Sequence, residues 1–199
     1  MILSELNYCS SDRVLLKLED GSEISSYLSV VAELHLHAQE DLDQTRLEQI
    51  REKTALLEAK EYALRAVAKR MYSRKELGDR FARHGIPSHI SEPALDWMES
   101  HGYLDDAQYA QAIIRHYSAK GYGISRLRSE LYKRGISQEL QKEILSALPD
   151  NTQAIDRLLK SRLRDPDNRD EVRKAANYLT RRGFSWDEIK SALERYHET

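Results

Sequence analysis

Two adjacent aspartates, Asp105 and Asp106, lie in the stretch HGYLDDAQYAQ at residues 101–111. Neighbouring carboxylates can act as general acid and base or share a metal ion. Either role needs further acidic or histidine groups at matching spacing, and none lies nearby. A helix, AQYAQAIIRHY, begins directly after the pair, with Ala110, Ile113, Ile114 and Tyr117 on one face. Asp105 stands at its N-cap, able to accept from the first-turn amides, and Gln108 has the spacing of a capping box. Asp106 meets the positive end of the helix dipole. The pair starts a helix.

Other chemistry-bearing types are equally unhelpful to catalysis. The seven histidines show no metal spacing; His35 and His37 would point to different faces of a helix, and there is no HExxH pattern. Neither a GxxxxGK[ST] loop nor a GxGxxG fingerprint occurs. The segment KGYGISR (120–126) has two glycines beside basic residues, but it lies between helices rather than after a strand. It reads as an interhelix turn with only a loose likeness to an anion-binding helix N-terminus. Cys9 is the only cysteine, which excludes an intrachain disulfide or a cysteine metal cluster. The expectation is a binding protein without cofactor or metal, not an enzyme.

The 199 residues are 40% hydrophobic and 32% charged, enough to bury a sizeable core beneath a very polar surface. No apolar run approaches a membrane span, and the start, MILSELNYCSSDR, lacks the basic and apolar regions of a signal peptide. A cytoplasmic protein is expected. The net charge of -2 is unevenly spread: residues 1–59 carry 5 basic and 12 acidic side chains, residues 60–134 carry 14 and 9, and residues 135–199 carry 12 of each. A basic middle on an acidic chain suggests a localised surface for an anionic partner.

The elements that must position this surface are mainly helical. No glycine or proline lies between Gly21 and Gly78. Before that gap, RVLLKLEDGSEISSYL reads as a β-hairpin turning at Asp20-Gly21. SVVAELHLHAQ reads as a short helix, and residues 43–72 as a long one. Beyond it the sequence repeats. ELGDRFARHGIPSHISEPAL (76–95), RLRSELYKRGISQELQKEIL (126–145) and KAANYLTRRGFSWDEIKSAL (174–193) align on Gly85, Gly135 and Gly183, at separations of 50 and 48. Leu77, Leu127 and Ala175 align eight residues before each glycine, and Phe81, Leu131 and Leu179 four before. This is a helix ending at a left-handed glycine, an apolar residue packing back, and a new helix. Ser137 and Ser185 are N-caps, Ser185 with Glu188 making a capping box.

The expected fold is therefore mainly α: three tandem three-helix repeats of helix-turn-helix character, elongated and curved, preceded by a small N-terminal β-hairpin and helix region. The divisions fall at 1–43 (hairpin and short helix), 44–59 (long-helix linker), 60–104, 105–150 and 151–199. Arg126 and Lys133 share one stripe of the helix 123–134, and Arg128 and Tyr132 another; Arg65, Lys69 and Tyr72 form a similar exposed strip. Interleaved Arg, Lys and Tyr suit a surface that meets phosphates or acidic protein.

These stretches resemble the RecX family, the bacterial regulators of the RecA recombinase. The likeness rests on ALRAVAKRMYSRKELGDRFARHGI, on GYLDDAQYAQAIIRHYSAKGYGISRLRSELYKRGIS and on YLTRRGFSWDEIKSAL, and covers residues 60–199. The first 59 residues match only the hairpin-bearing extension of longer members. The resemblance implies a cytoplasmic monomer that lodges in the groove of the RecA–DNA filament and lowers ATPase, strand-exchange and co-protease activity. Its setting would be recombination, DNA repair and the SOS response, with DNA, single- or double-stranded, met weakly or within the filament. Carried over by position, Arg115, Lys120, Arg126, Arg128, Lys133 and Arg134 are the filament-facing candidates. Arg70, Arg74 and Lys75 in the first repeat come next, then Arg181 and Arg182 in the third. Replacing Lys120, Arg126 and Arg128 together is expected to weaken inhibition without altering melting. A charged insertion, RDPDNRDE, separates the first two helices of the third repeat. The other reading is a helix-turn-helix DNA-binding regulator that does not act on RecA.

Overall fold

The computed structural model describes residues 1–9 and 12–198. The chain divides into two compact units, Met1–Arg70 with Leu77–Leu104, and Met71–Glu76 with Asp105–Thr199.

In the first unit the hairpin is present as β2 (Arg13–Leu18) and β3 (Glu23–Tyr27), paired antiparallel. Its turn is fixed by Asp20, whose carboxylate accepts from the Ser22 amide at 2.9 Å. The hairpin is half of a larger sheet. β1 (Ile2–Tyr8) pairs with β2, and the short β4 (Glu40–Asp41) pairs with β1, giving the order β3-β2-β1-β4. Leu3, Val14, Leu16 and Leu18 point from these strands into one core with Val30, Leu34, Leu36, Leu47 and Ile50.

Two helical expectations need correction here. The short helix α1 is only Leu28–Glu33. His35 turns left-handed (φ 50°), and the Leu36 amide reaches back to the Val31 carbonyl at 3.0 Å, closing the helix so that Leu34 and Leu36 bury. The long helix α2 is Gln44–Val67, capped by Asp43, whose side chain accepts from the Arg46 amide at 2.7 Å. It stops short of Tyr72, which is buried, so the strip Arg65, Lys69 and Tyr72 is not one exposed helix face.

α2 joins the sheet to the helices. Its Thr54 hydroxyl lies 2.6 Å from that of Ser26, both buried. Arg13 reaches Glu58 at 3.1 Å and Glu61 at 3.4 Å. Further along, Ala59, Ala63 and Ala66 are buried, their small side chains allowing α4 (Ser88–Ser100) to pack closely. Leu77 and Phe81 of α3 (Arg74–Arg83) are fully buried, and Tyr62 of α2 stands 5.9 Å from the Phe81 ring.

The second unit holds six further helices: α5 (Asp106–Ala119), α6 (Ile124–Lys133), α7 (Gln138–Ser146), α8 (Thr152–Lys160), α9 (Arg169–Arg181) and α10 (Trp186–His197). Two cores fill it. Tyr109, Ala110, Ile113, Ile114, Leu127 and Leu131 form one; Ile155, Leu159, Leu179, Phe184 and Ile189 anchor the other. The repeat glycines end α3, α6 and α9 in the same way. In the second and third repeats Gly135 and Gly183 have φ of 72° and 89°, and the next residue's amide bonds to the carbonyl of Leu131 or Leu179 at 3.2 Å. The insertion between α8 and α9 is folded back by Glu171, whose carboxylate accepts from the Arg164 and Asp165 amides at 3.1 and 3.2 Å. Asn168 then caps α9.

Candidate functional site

The two aspartates divide their work. Asp105 caps α5, accepting from the Gln108 amide at 2.8 Å. The return bond of a capping box, from the Gln108 side chain, is not formed. Asp106 reaches outside its helix and accepts from the Arg74 amide, also at 2.8 Å. One aspartate therefore starts α5, and the other holds the first turn of α3 in the second unit.

Ser73, fully buried, completes this junction. Its hydroxyl accepts from the Glu76 amide at 3.1 Å, the Glu76 carboxylate accepts from the Ser73 amide at 3.3 Å, and the hydroxyl itself donates to the Arg134 carbonyl. The capping box is coupled to the end of α6. Ser137 caps α7 with one bond, from the Leu140 amide, and Ser185 with Glu188 makes a complete capping box on α10.

Glu130 is the centre of the site. It is only 5% exposed, yet carries a charge. Arg134 reaches its carboxylate at 2.7 Å, Arg126 at 2.9 Å and Lys133 at 3.4 Å. The Tyr117 hydroxyl donates to it at 3.0 Å. The Arg134 hydrogen bond, against the opposing cost of burial, holds the Glu130 carboxyl at about 2, with Tyr117, Lys133 and Arg126 adding to the effect. A buried carboxylate thus fixes three cations whose outer surfaces still meet solvent.

From there an Arg/Tyr array crosses to the third repeat. The Tyr117 and Tyr122 rings are 5.6 Å apart. Arg126 and Arg182 lie 5.7 and 4.7 Å from the Tyr122 ring, while Arg182 and Arg162 lie 5.2 and 4.4 Å from that of Tyr178. Cations at these distances are drawn to the ring faces. Arg182 also donates to the Lys120 carbonyl.

The main chain locks the same junction. The Gly123 amide donates to the Arg182 carbonyl at 2.9 Å, and the Ser125 amide to that of Gly183 at 3.1 Å. The KGYGISR turn thus spends its helix-start amides on the neighbouring turn.

The predicted basic residues separate into three groups. Arg126, Lys133, Arg134 and Arg182 converge on the Glu130–Tyr122 array, and Lys120 joins it only through its main-chain carbonyl. Arg74 and Lys75 lie at the α3 start, the Lys75 side chain packing on Gly135. Arg115 and Arg181 are exposed on α5 and α9, and Arg70 is exposed just after α2 in the first unit. Arg128 stands apart, lining a cleft between α6 and α7. The expectation that Arg126 can be replaced without loss of stability is corrected: it pairs with a buried carboxylate. Sequence reasoning missed Glu130, Arg162, Tyr178 and Ser73. The S-x-x-E spacing of Ser73 and Glu76 was a readable capping signal. Glu130 had none, because an acid on a charged helix looks solvated.

Models of the RecX family match all three repeats: the first three-helix domain at residues 59–98, the second at 105–145 and the third at 152–193. The regulatory protein RecX of Xanthomonas axonopodis pv. citri is 33% identical over 133 residues, 65% of this chain and 82% of that protein. Its counterpart in Acidithiobacillus ferrooxidans is 36% identical over 131 residues, 66% and 85% of the two chains. A crystal structure of regulatory protein RecX, 17% identical, superposes with a TM-score of 0.78 over 97% of this chain and 98% of that one. With its three repeats in matching order and relatives matched over most of their length, the chain belongs to the RecX family.

Proposed function

We propose that this protein binds in the groove of the RecA–DNA filament and lowers its ATPase, strand-exchange and co-protease activities by occupancy rather than catalysis. It would do so as a cytoplasmic monomer in recombination, DNA repair and the SOS response. The observation that carries the reading is the Arg/Tyr array on Glu130, where cations from the second and third repeats are held in place beside aromatic rings. Fixed cations lose little freedom on meeting an anionic surface, whether phosphate or acidic protein. Arg126, Lys133, Arg134 and Arg182 are its centre; Lys120, Arg115, Arg181, Arg74 and Lys75 extend it, and Arg70 in the first unit is a separate candidate.

The test is ATP hydrolysis by RecA on single-stranded DNA with increasing amounts of the purified protein. Inhibition near equimolar ratio is expected, weakened by Arg115→Ala, Lys120→Ala and Arg181→Ala together, all on exposed side chains. No inhibition at excess protein would remove the proposal. Sequence-selective duplex binding without any effect on hydrolysis would support the helix-turn-helix regulator instead.

A further inference from the structure

The second and third repeats carry the same cleft at equivalent positions. One lies between α6 and α7, with a volume of about 790 Å³; the other lies between α9 and α10, with about 470 Å³. At the repeat offset of 48, Ile124 and Leu145 on the first floor correspond to Val172 and Leu193 on the second. Each cleft has one highly exposed aromatic ring at its edge, Tyr132 (70% exposed) and Trp186 (64%). Each is lined by basic side chains and by no carboxylate: Arg128 and Lys142 in one, Arg169 and Arg173 in the other. Among the described residues Arg128 and Lys142 make no ion pair, while Arg173 meets only the exposed Asp170 at 2.9 Å.

The fold does not require this polarity. In the first repeat, at an offset of 50, the positions of Arg128, Ser129, Lys142 and Ser146 hold Gly78, Asp79, Glu92 and Asp96. Three carboxylates stand where the second repeat places Ser129, Lys142 and Ser146. The charge lining the second repeat's cleft is therefore not a requirement of the three-helix unit.

We propose that these two clefts are docking sites for acidic amphipathic helices of a partner protein. An apolar floor flanked by two packed helices suits the apolar face of a third helix. Helix α6, at ten residues, spans about 15 Å at a rise of 1.5 Å per residue, which admits an occupant of about three turns. The cations select carboxylates on that helix's polar face, and the exposed ring covers it. Single-stranded nucleic acid fits less well, because it needs a continuous basic track and flat stacking platforms; here apolar walls dominate. The proposal is independent of RecA, and the two sites would take two segments of one partner or of neighbouring copies.

The probe is a fluorescein-labelled peptide of about twelve residues, with Leu at i, i+3, i+4 and i+7 and Glu elsewhere, titrated with the full-length protein by anisotropy. Saturable binding at two sites is expected. Arg128→Glu with Lys142→Glu should weaken one site at least about tenfold, and Trp186→Ala the other, with thermal melting unchanged. Peptide contact should also shift an emission component that Trp186→Phe removes. Equal binding of a Lys-for-Glu peptide, insensitivity to both sets of substitutions, or no saturation up to about 1 mM would overturn the proposal. So would a thymidine oligonucleotide that binds through Arg128 and Lys142 where the peptide does not.

Discussion

The hydroxyl of Ser73 donates to the main-chain carbonyl of Arg134, 61 residues further along. The same oxygen caps α3 by accepting from Glu76, so one buried atom serves a helix start and a distant helix end. Ser73→Ala removes both bonds and strands a carbonyl. A loss of about 2 kcal/mol in urea denaturation is expected. A loss below about 0.5 kcal/mol, the lower limit for a cap alone, would show that the link to Arg134 contributes nothing.

Glu130 predicts an acid-sensitive contribution of defined sign. Its carboxyl is more acidic folded than unfolded, falling from an ordinary 4.5 to about 2. The stabilisation is therefore complete above the unfolded value and is lost as pH falls through the folded one. Glu130→Gln should cost about 3 kcal/mol at neutral pH. The stability gap between variant and native protein should narrow as pH falls from 4.5 towards 2. A gap that stays constant with pH would refute the role of the charge.

The two repeat-ending glycines should respond differently to alanine. Both pay the left-handed backbone penalty of about 1–2 kcal/mol. At Gly135 a new Cβ meets the Lys75 side chain, whose outer carbons can swing away and whose Cβ, at 2.5 Å, yields only with the first turn of α3. At Gly183 it meets the Arg126 main-chain nitrogen at 2.5 Å, and nothing short of moving α6 relieves that. Gly183→Ala should lower the melting temperature clearly more than Gly135→Ala; equal effects would mean that the α6 start is not held against this turn.

Asp105→Ala should cost about 1 kcal/mol, and Asp105→Asn very little, since asparagine caps equally well. The proposed inhibition of RecA should follow the folded fraction in both. A loss of activity in well-folded Asp105→Asn, seen by circular dichroism, would reopen the question of chemistry at this pair.

The helical repeats were legible because their signals are local. The apolar residues four and eight positions before the glycines, and the serine caps, all lie within about two turns of those glycines. The N-terminal sheet was half legible: Asp20-Gly21 announces β2 and β3, but β1 has no turn signal and depends on partners from residues 14–18 and 40–41. Helix α1 ended early because His35 takes the left-handed position that a glycine would have marked. At the site, the spacing of Arg126 and Lys133 was read correctly, but not what they face. Nothing in a helical stripe distinguishes a solvated acid from Glu130, whose burial follows from Tyr117 and Arg134 closing over it. The pairing of Arg182 with Tyr122, 60 positions apart, likewise needs the folded chain.

The register of α6 against the Gly183 turn is set by main-chain amides and carbonyls, with the Arg182 side chain adding a bond to the Lys120 carbonyl. Most side chains on either side can therefore drift without changing how the second repeat is registered on the third. Heredity is constrained there at Gly123 and Gly183, where any Cβ would strike the opposing backbone. A lineage could rewrite nearly everything around those two residues and still inherit the same joint.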